Sequence, residues 1–182
     1  VELKDYKSAI DRLCEEEPKV EKRMMLEGTM SSGEKDLAVN DIVLTREGNL
    51  RIVQFNVYVN GILLNTYQAD GVIICTPTGS TGYNLSAGGP VLDACAAVMV
   101  LTPVCAHSIH AVPLVFSASR TLTVVAEATN RDSVYASADS HSRCDLQPGE
   151  SLTITTAVEQ LGLITFDETE QFRAIETKLM RR

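Results

Sequence analysis

The run Asp70 to Pro90, DGVIICTPTGSTGYNLSAGGP, sets small, uncharged, hydroxyl-bearing residues directly after a short apolar strand. Thr78, Gly79, Ser80, Thr81 and Gly82 leave backbone N–H groups uncovered, and Tyr83 and Ser86 extend the hydroxyl surface. Amides and hydroxyls at close quarters suit a phosphate, a ribose or an adenine edge, because they donate and accept without bringing net charge. No lysine follows the glycines, so this is not a Walker loop. Between Arg51 and Arg120 there is no lysine, arginine or glutamate, and the only carboxylates are Asp70 and Asp93. A loop in that setting binds through amides, hydroxyls and one carboxylate, which favours a nucleoside over a bare polyanion. The same composition also builds plain tight turns; the length and hydroxyl density are what favour a ligand.

Other residue types carry weaker signals. Asn40-Asp41 precedes the apolar triplet Ile42-Val43-Leu44, where such a pair serves as a turn former or as a polar donor–acceptor set. His107 and His110, three apart with no third ligand in sight, make a weak case for a metal, and His107 reads instead as a hydrogen-bonding or core histidine. Cys14, Cys75, Cys95, Cys105 and Cys144 form no CxxC pair and read as reduced, structural thiols of a cytoplasmic protein.

The elements that must position these residues are mostly strands. Gly71 to Cys75 is a β-branched run stopped by Thr76-Pro77. Val53, Phe55, Val57 and Val59 alternate with polar partners before Asn60-Gly61, which predicts a two-residue β-hairpin returning over Ile62 to Gln68. If the returning strand continues, period two puts Gln68 and Asp70 on one side. Val91 to Ala97 reads as a helical turn, followed by a strand Val98 to Leu101 that Thr102-Pro103 breaks. Leu122 to Ala126, Val134 to Ala138 and Leu152 to Thr155 are three further short strands, which indicates stacked antiparallel sheets. Leu3, Tyr6, Ile10 and Leu13 define an amphipathic helix at one end. At the other end, Asp167 with Glu170 forms a capping pattern ahead of the stripe Phe172, Ile175 and Leu179. The expected class is therefore mostly β, two stacked antiparallel sheets with short helical segments at both ends. The expected division is a helical segment 1–18, a β domain 19–166 and a terminal helix 167–182.

With 182 residues and a net charge of −8, the chain supports a sizeable core and offers no basic surface for nucleic acid. No apolar run reaches the ~20 residues of a membrane span, so no membrane partner is expected. Because it opens on Val1 rather than methionine, it reads as a piece of something longer.

The run TPTGSTGYNLSAGGP resembles the signature of the NAD kinases, T-P-T/S-G-S/T-T-A-Y-S-L-S-A-G-G-P, with Gly82 in place of alanine and Asn84 in place of serine. Ala38-Val39-Asn40-Asp41 is similar to the family's A-x-N-E/D element, and Leu101 to His107 to its L-T-P-I-C-P-H element. Asp139-Ser140-His141 stands where the family has D-G-Q, and Val112 where an arginine is usual before the proline. The resemblance covers most of the chain from about Arg23 onward. It implies that Asn40, Asp41, Asp70, Thr81, Gly82, Tyr83, Asn84, Leu85 and Ser86 bind NAD, with Arg51, Gln68, Cys105, His107 and His141 near the ligand. In that family Asn40 and Asp41 would reach the adenosine part, Asp70 the nicotinamide ribose, and the site is assembled from two subunits. It also implies ATP or polyphosphate with Mg²⁺ as donor in the intact enzyme, NADP as product, and a homodimer or homotetramer. The family's G-G-D-G element, which holds the donor, does not occur in this sequence. This chain alone is therefore expected to be inactive as a kinase, to hold no tightly bound cofactor, and to contain no catalytic residue or metal ligand. The alternative is a non-catalytic NAD(P)-binding or assembly module.

Overall fold

A computed structural model describes residues 5–48, 52–108, 110–130, 133–166 and 170–177. It divides into two compact units, one of residues 24–161 and a smaller one formed by the described residues up to Arg23 together with those from Gly162 onward.

The larger unit follows from alternation. β3 (Asp41–Arg46), β4 (Val53–Val59), β6 (Gly71–Cys75), β9 (Leu122–Ala126) and β10 (Val134–Ala138) all carry apolar side chains at every second position or throughout. Such strands must bury a face, and they do so as two six-stranded antiparallel sheets. The first has the order β2 (Lys35–Ala38), β1 (Lys19–Met30), β12 (Ser151–Thr165), β9, β4, β5 (Ile62–Ala69). The second runs β11 (Cys144–Leu146), β10, β3, β6, β7 (Val98–Val104), β8 (Leu114–Ser117). One cluster of buried residues joins them: Leu26, Phe55, Val57, Leu122 and Ile154 come from the first sheet and Ile42, Leu44, Ile74, Met99 and Leu101 from the second.

The β4–β5 hairpin turns on Asn60-Gly61, both in the left-handed region at φ 50° and 80°, as an Asn-Gly turn requires. Three expectations need correction. Residues 91–97 are not helical. Pro103 does not break its strand: β7 runs on to Val104, with Pro103 opposite Val72 of β6 and past Leu101–Leu114, the last pairing with β8. A proline is tolerated where one neighbour has ended. Finally, β12 extends through Thr165, far beyond the short strand read from Leu152 to Thr155.

The smaller unit contains α1 (Tyr6–Glu15) and α3 (Glu170–Ile175). Arg12 pairs with Glu16 at 3.1 Å and lies 4.5 Å from the Phe166 ring centroid. Tyr6, Ile10 and Leu13 of α1 are exposed. The capping pattern at Asp167, and the stripe positions Leu3 and Leu179, lie outside the described residues.

Candidate functional site

The second sheet has a second apolar face. On the side away from the sandwich core its registers align Asp41, Cys75 and Val100 in one row, Ser137, Val43, Ile73 and Thr102 in the next, and Tyr135, Thr45, Gly71 and Val104 in a third. Val43, Ile73, Cys75 and Val100 form a small buried cluster there, capped by Ala87 and Leu92. The polar run after β6 folds back over its own sheet, as a 3₁₀ turn (Thr78–Thr81) followed by the short helix α2 (Tyr83–Ser86).

Internal hydrogen bonds fix this loop. Thr76 donates from its Oγ1 to the Val39 carbonyl at 2.6 Å, accepts from the Gly79 N–H at 3.1 Å, and donates its own N–H to the Asn40 carbonyl at 2.9 Å. Gly79 packs so tightly on this segment that a Cβ would stand 2.5 Å from the Asn40 carbonyl carbon and 2.7 Å from its Cα. Ser80 Oγ donates to the Pro77 carbonyl at 2.7 Å and accepts from the Leu92 N–H at 3.0 Å. Asn84 is fully buried: Nδ2 donates to the Ser80 and Pro90 carbonyls at 2.9 and 3.0 Å, and Oδ1 accepts from Thr102 Oγ1 at 2.6 Å. Gly89 leaves the space for it, since a Cβ there would come within 2.6 Å of Asn84 Nδ2.

The loop therefore has two sides. Thr76, Gly79, Ser80 and Asn84 face inward and spend their polar atoms on the protein. Thr81, Gly82, Tyr83 and Ser86 are exposed, with Leu85 half-buried. Of the residues expected to line a ligand site, Asn84 is the one the structure places in the scaffold.

Around Tyr83 several other expected residues converge. Burial raises the Tyr83 phenol above its ordinary value, and Cys105, Tyr135, Asp41 and Asp70 add to the effect, so all four act on it. Asp41 is only 7% exposed, and its carboxyl is pushed up to about 6 by desolvation and by the neighbouring Asp139. Beneath it, Cys75 is pushed up to about 12, mainly by burial and further by Asp41. Asp70 does not extend β5, which ends at Ala69. It forms the bend into β6, ion-paired to Arg46 Nε at 2.9 Å, with its N–H donated to the Val104 carbonyl at 2.9 Å. Gln68 is exposed, and its carbonyl accepts the His107 N–H at 2.8 Å, which ties the β5 end to the segment after β7. Cys105 is exposed and adopts φ 48°. His107 and His141 are both exposed, and Asn40 is exposed beside Asp41. Arg51 lies outside the described residues.

Two residues missing from the expected set belong to this surface. Asp139 accepts the N–H groups of Val39, Asn40 and Asp41 at 2.7, 2.7 and 3.1 Å. Asp139-Ser140 stands where the resembled pattern has Asp-Gly, and both residues adopt the left-handed region, at φ 47° and 60°. Tyr135 lies in the third row under the Arg143 guanidinium, 4.4 Å from the ring centroid, and Arg143 pairs with Glu47 and Asp145. Its place beside Thr45 needed the β3–β10 register, which no local pattern supplies. Among the described residues no three His, Cys, Asp or Glu side chains are grouped to hold a metal ion. The surface is thus a hydrogen-bonding cradle with one exposed aromatic ring and the three carboxylates of Asp41, Asp70 and Asp139, equipped to hold hydroxyls and a heterocycle.

The family model for the ATP-NAD kinase C-terminal domain matches residues 39–166, which include all of this surface. An NAD kinase of Lachnospira eligens is 35% identical over 170 residues, covering 85% of this chain and 58% of that protein. One of Lachnoclostridium phytofermentans is 34% identical over 187 residues, covering 98% and 66%. The crystal structure of yeast NADH kinase complexed with NADH superposes with a TM-score of 0.89 at 27% identity, covering 97% of this chain and 53% of that one. The chain spans about 58 to 66% of the length of these curated relatives.

Proposed function

This chain belongs to the ATP-NAD kinase C-terminal domain family, and on that premise we propose that the outer face of its second sheet is the dinucleotide-binding surface of an NAD kinase. The observation that carries the proposal is the division of the polar loop. Thr81, Tyr83 and Ser86 stay exposed on a base whose Thr76, Ser80 and Asn84 side chains are hydrogen-bonded within the protein, and they share their surface with Asn40, Asp41 and Asp70. Asn40 offers the donor and acceptor that an adenine edge needs. Asp41 accepts from a ribose hydroxyl, and Asp70, steadied by Arg46, accepts from the second ribose. Tyr83 supplies the ring face.

In the intact enzyme a phosphoryl group passes from ATP or polyphosphate, with a divalent metal, to the 2′-hydroxyl of NAD, giving NADP. That transfer depends on aligning donor, metal and acceptor hydroxyl. The described residues of this chain supply the acceptor's seat, so the chain by itself holds dinucleotide without turning it over. A cytoplasmic location belongs to the same reading. So does a homo-oligomer: the edge strand β5 exposes Ile62 (74%), Leu63 (52%) and Leu64 (41%), an open apolar edge of the kind that pairs with another copy.

Calorimetry of the 182-residue chain with NAD and NADP tests the reading. Binding in the micromolar to millimolar range is expected, and Tyr83→Ala should weaken it about tenfold or more with little change in stability. Absence of binding, or indifference to Tyr83→Ala, would overturn it. NADP formation from NAD, ATP and Mg²⁺ at kinase rates would overturn the inactivity of the chain.

A further inference from the structure

Asn40 lies in the bend between β2 and β3, and Asp41 opens β3. Their backbone is held from two directions. The Val39 and Asn40 carbonyls accept from Thr76, while the N–H groups of Val39, Asn40 and Asp41 all point at one side chain, that of Asp139, about a hundred residues away. Asp139 Oδ2 accepts from Val39, and Oδ1 accepts from both Asn40 and Asp41. Its own N–H donates to the Asp41 carbonyl at 3.0 Å. A neutral amide cannot reproduce this, because an ionised carboxylate accepts at both oxygens and an amide at only one.

We propose that Asp139 is the positioning residue of this site, a carboxylate that clamps residues 39–41 so that Asn40 and Asp41 face the ligand, and that in doing so it couples dinucleotide binding to a proton on Asp41. The clamp brings a second carboxylate against Asp41, which is already out of water. Among the described residues, Cys75 from β6 and Tyr83 from α2 also interact with Asp41, and neither carries a positive charge. Below pH of about 6 the Asp41 carboxyl holds a proton. A ribose hydroxyl that donates to Asp41 favours the carboxylate, so binding in that range releases the proton to buffer. Affinity should then fall as pH is lowered through 6, by up to about tenfold per unit.

The ligand arm rests on the dinucleotide reading above; the titration arm does not. Carboxyl carbons and backbone amides of the 182-residue chain are followed by NMR from pH 4 to 8, in the parent and in Asp139→Asn. Asparagine tolerates the left-handed backbone that Asp139 adopts, so the substitution tests the charge and the second acceptor rather than the turn. In the parent, the amide signals of Val39, Asn40 and Asp41 should move together with the Asp139 carboxyl. In Asp139→Asn the Asp41 midpoint should drop by about half a pH unit or more, and the dissociation constant for NAD at pH 7.5 should rise about tenfold. Amides that ignore the Asp139 titration, or an Asp41 midpoint that stays put in the variant, would overturn the proposal. If the variant does not fold, the parent's amide titration still decides. If the parent binds no NAD, the functional reading fails while the titration stands or falls independently.

Discussion

Gly79→Ala puts one methyl group at the tightest backbone junction of the site. The Cβ would lie 2.5 Å from the Asn40 carbonyl carbon and 2.7 Å from its Cα, whereas ordinary contact begins near 3.4 Å. Both neighbours are backbone, so no rotamer relieves the overlap, and the 39–41 segment or the loop must retreat by roughly 1 Å. A displacement of that size stretches both Thr76 hydrogen bonds beyond bonding range, that from its N–H to the Asn40 carbonyl from its present 2.9 Å and that from its Oγ1 to the Val39 carbonyl from 2.6 Å. Losing two buried hydrogen bonds costs about 2–4 kcal/mol. That corresponds to a fall in melting temperature of roughly 5–15 °C for a chain of this size. Urea and thermal unfolding followed by circular dichroism measure the loss, and calorimetry with NAD measures the effect on the site. Gly82→Ala is the control: it introduces the alanine of the resembled signature, its nearest neighbour is the Gly79 carbonyl at 3.3 Å, and a change within about 1 kcal/mol is expected. If Gly79→Ala unfolds within about 1 kcal/mol of the parent and binds equally well, the close docking of the loop on Asn40 is not what holds the site together.

Three further outcomes are expected. Asn84→Ala should cost about 2–4 kcal/mol in urea titrations, because it strands the Ser80 and Pro90 carbonyls and the Thr102 hydroxyl beneath the loop; a loss under about 1 kcal/mol would refute its scaffold role. Asp41 should make the chain less stable as pH rises: its folded pKa lies above the ordinary 3.8, at about 6, so its stabilising contribution is complete below the lower value and lost once pH passes the higher one. The shift corresponds to an upper limit of roughly 3 kcal/mol, reduced to about 1–2 by solvent at the site's edge; Asp41→Asn should raise the urea midpoint at pH 7.5 and flatten its dependence between pH 4 and 6. Ile62→Lys with Leu64→Lys on β5 should shift the sedimentation mass toward the monomer if that edge joins two copies; an unchanged oligomer would place the contact elsewhere.

What the sequence made legible was local. The hairpin on Asn60-Gly61 needs only its own eight or so neighbours, and the strands Leu122–Ala126 and Val134–Ala138 show their alternation to the residue. The edges were harder to read. β2 buries Ala38 alone and β11 only Leu146, so neither has a periodicity to detect. The second half of β12 is largely exposed and lacks the inward alternation that marks its first half. Residues 91–97, rich in alanine, read as helical. Instead Leu92 packs on the outer face of the second sheet and its N–H goes to Ser80 Oγ, so tertiary contact overrides propensity there. Asp139 escaped because its three acceptor bonds span 98 to 100 residues.

The case of Asn84 separates two things that a motif runs together. A signature is a string, but α2 turns successive residues of that string toward different surroundings. Tyr83 and Ser86 reach solvent, while Asn84 points into the sheet and meets Thr102, a residue of another element of the same signature set. A side chain with every polar atom engaged inside the protein has none left for a nucleoside, so a substitution there acts on ligand affinity only through the loop's shape. Exposed positions of the same string act by contact. The two classes part experimentally: a scaffold substitution such as Asn84→Ala lowers stability and affinity together, whereas Tyr83→Ala lowers affinity alone. If both variants moved stability and affinity in the same proportion, the inward and outward halves of the loop would not be distinct, and the assignment of the exposed half to ligand would lose its physical basis.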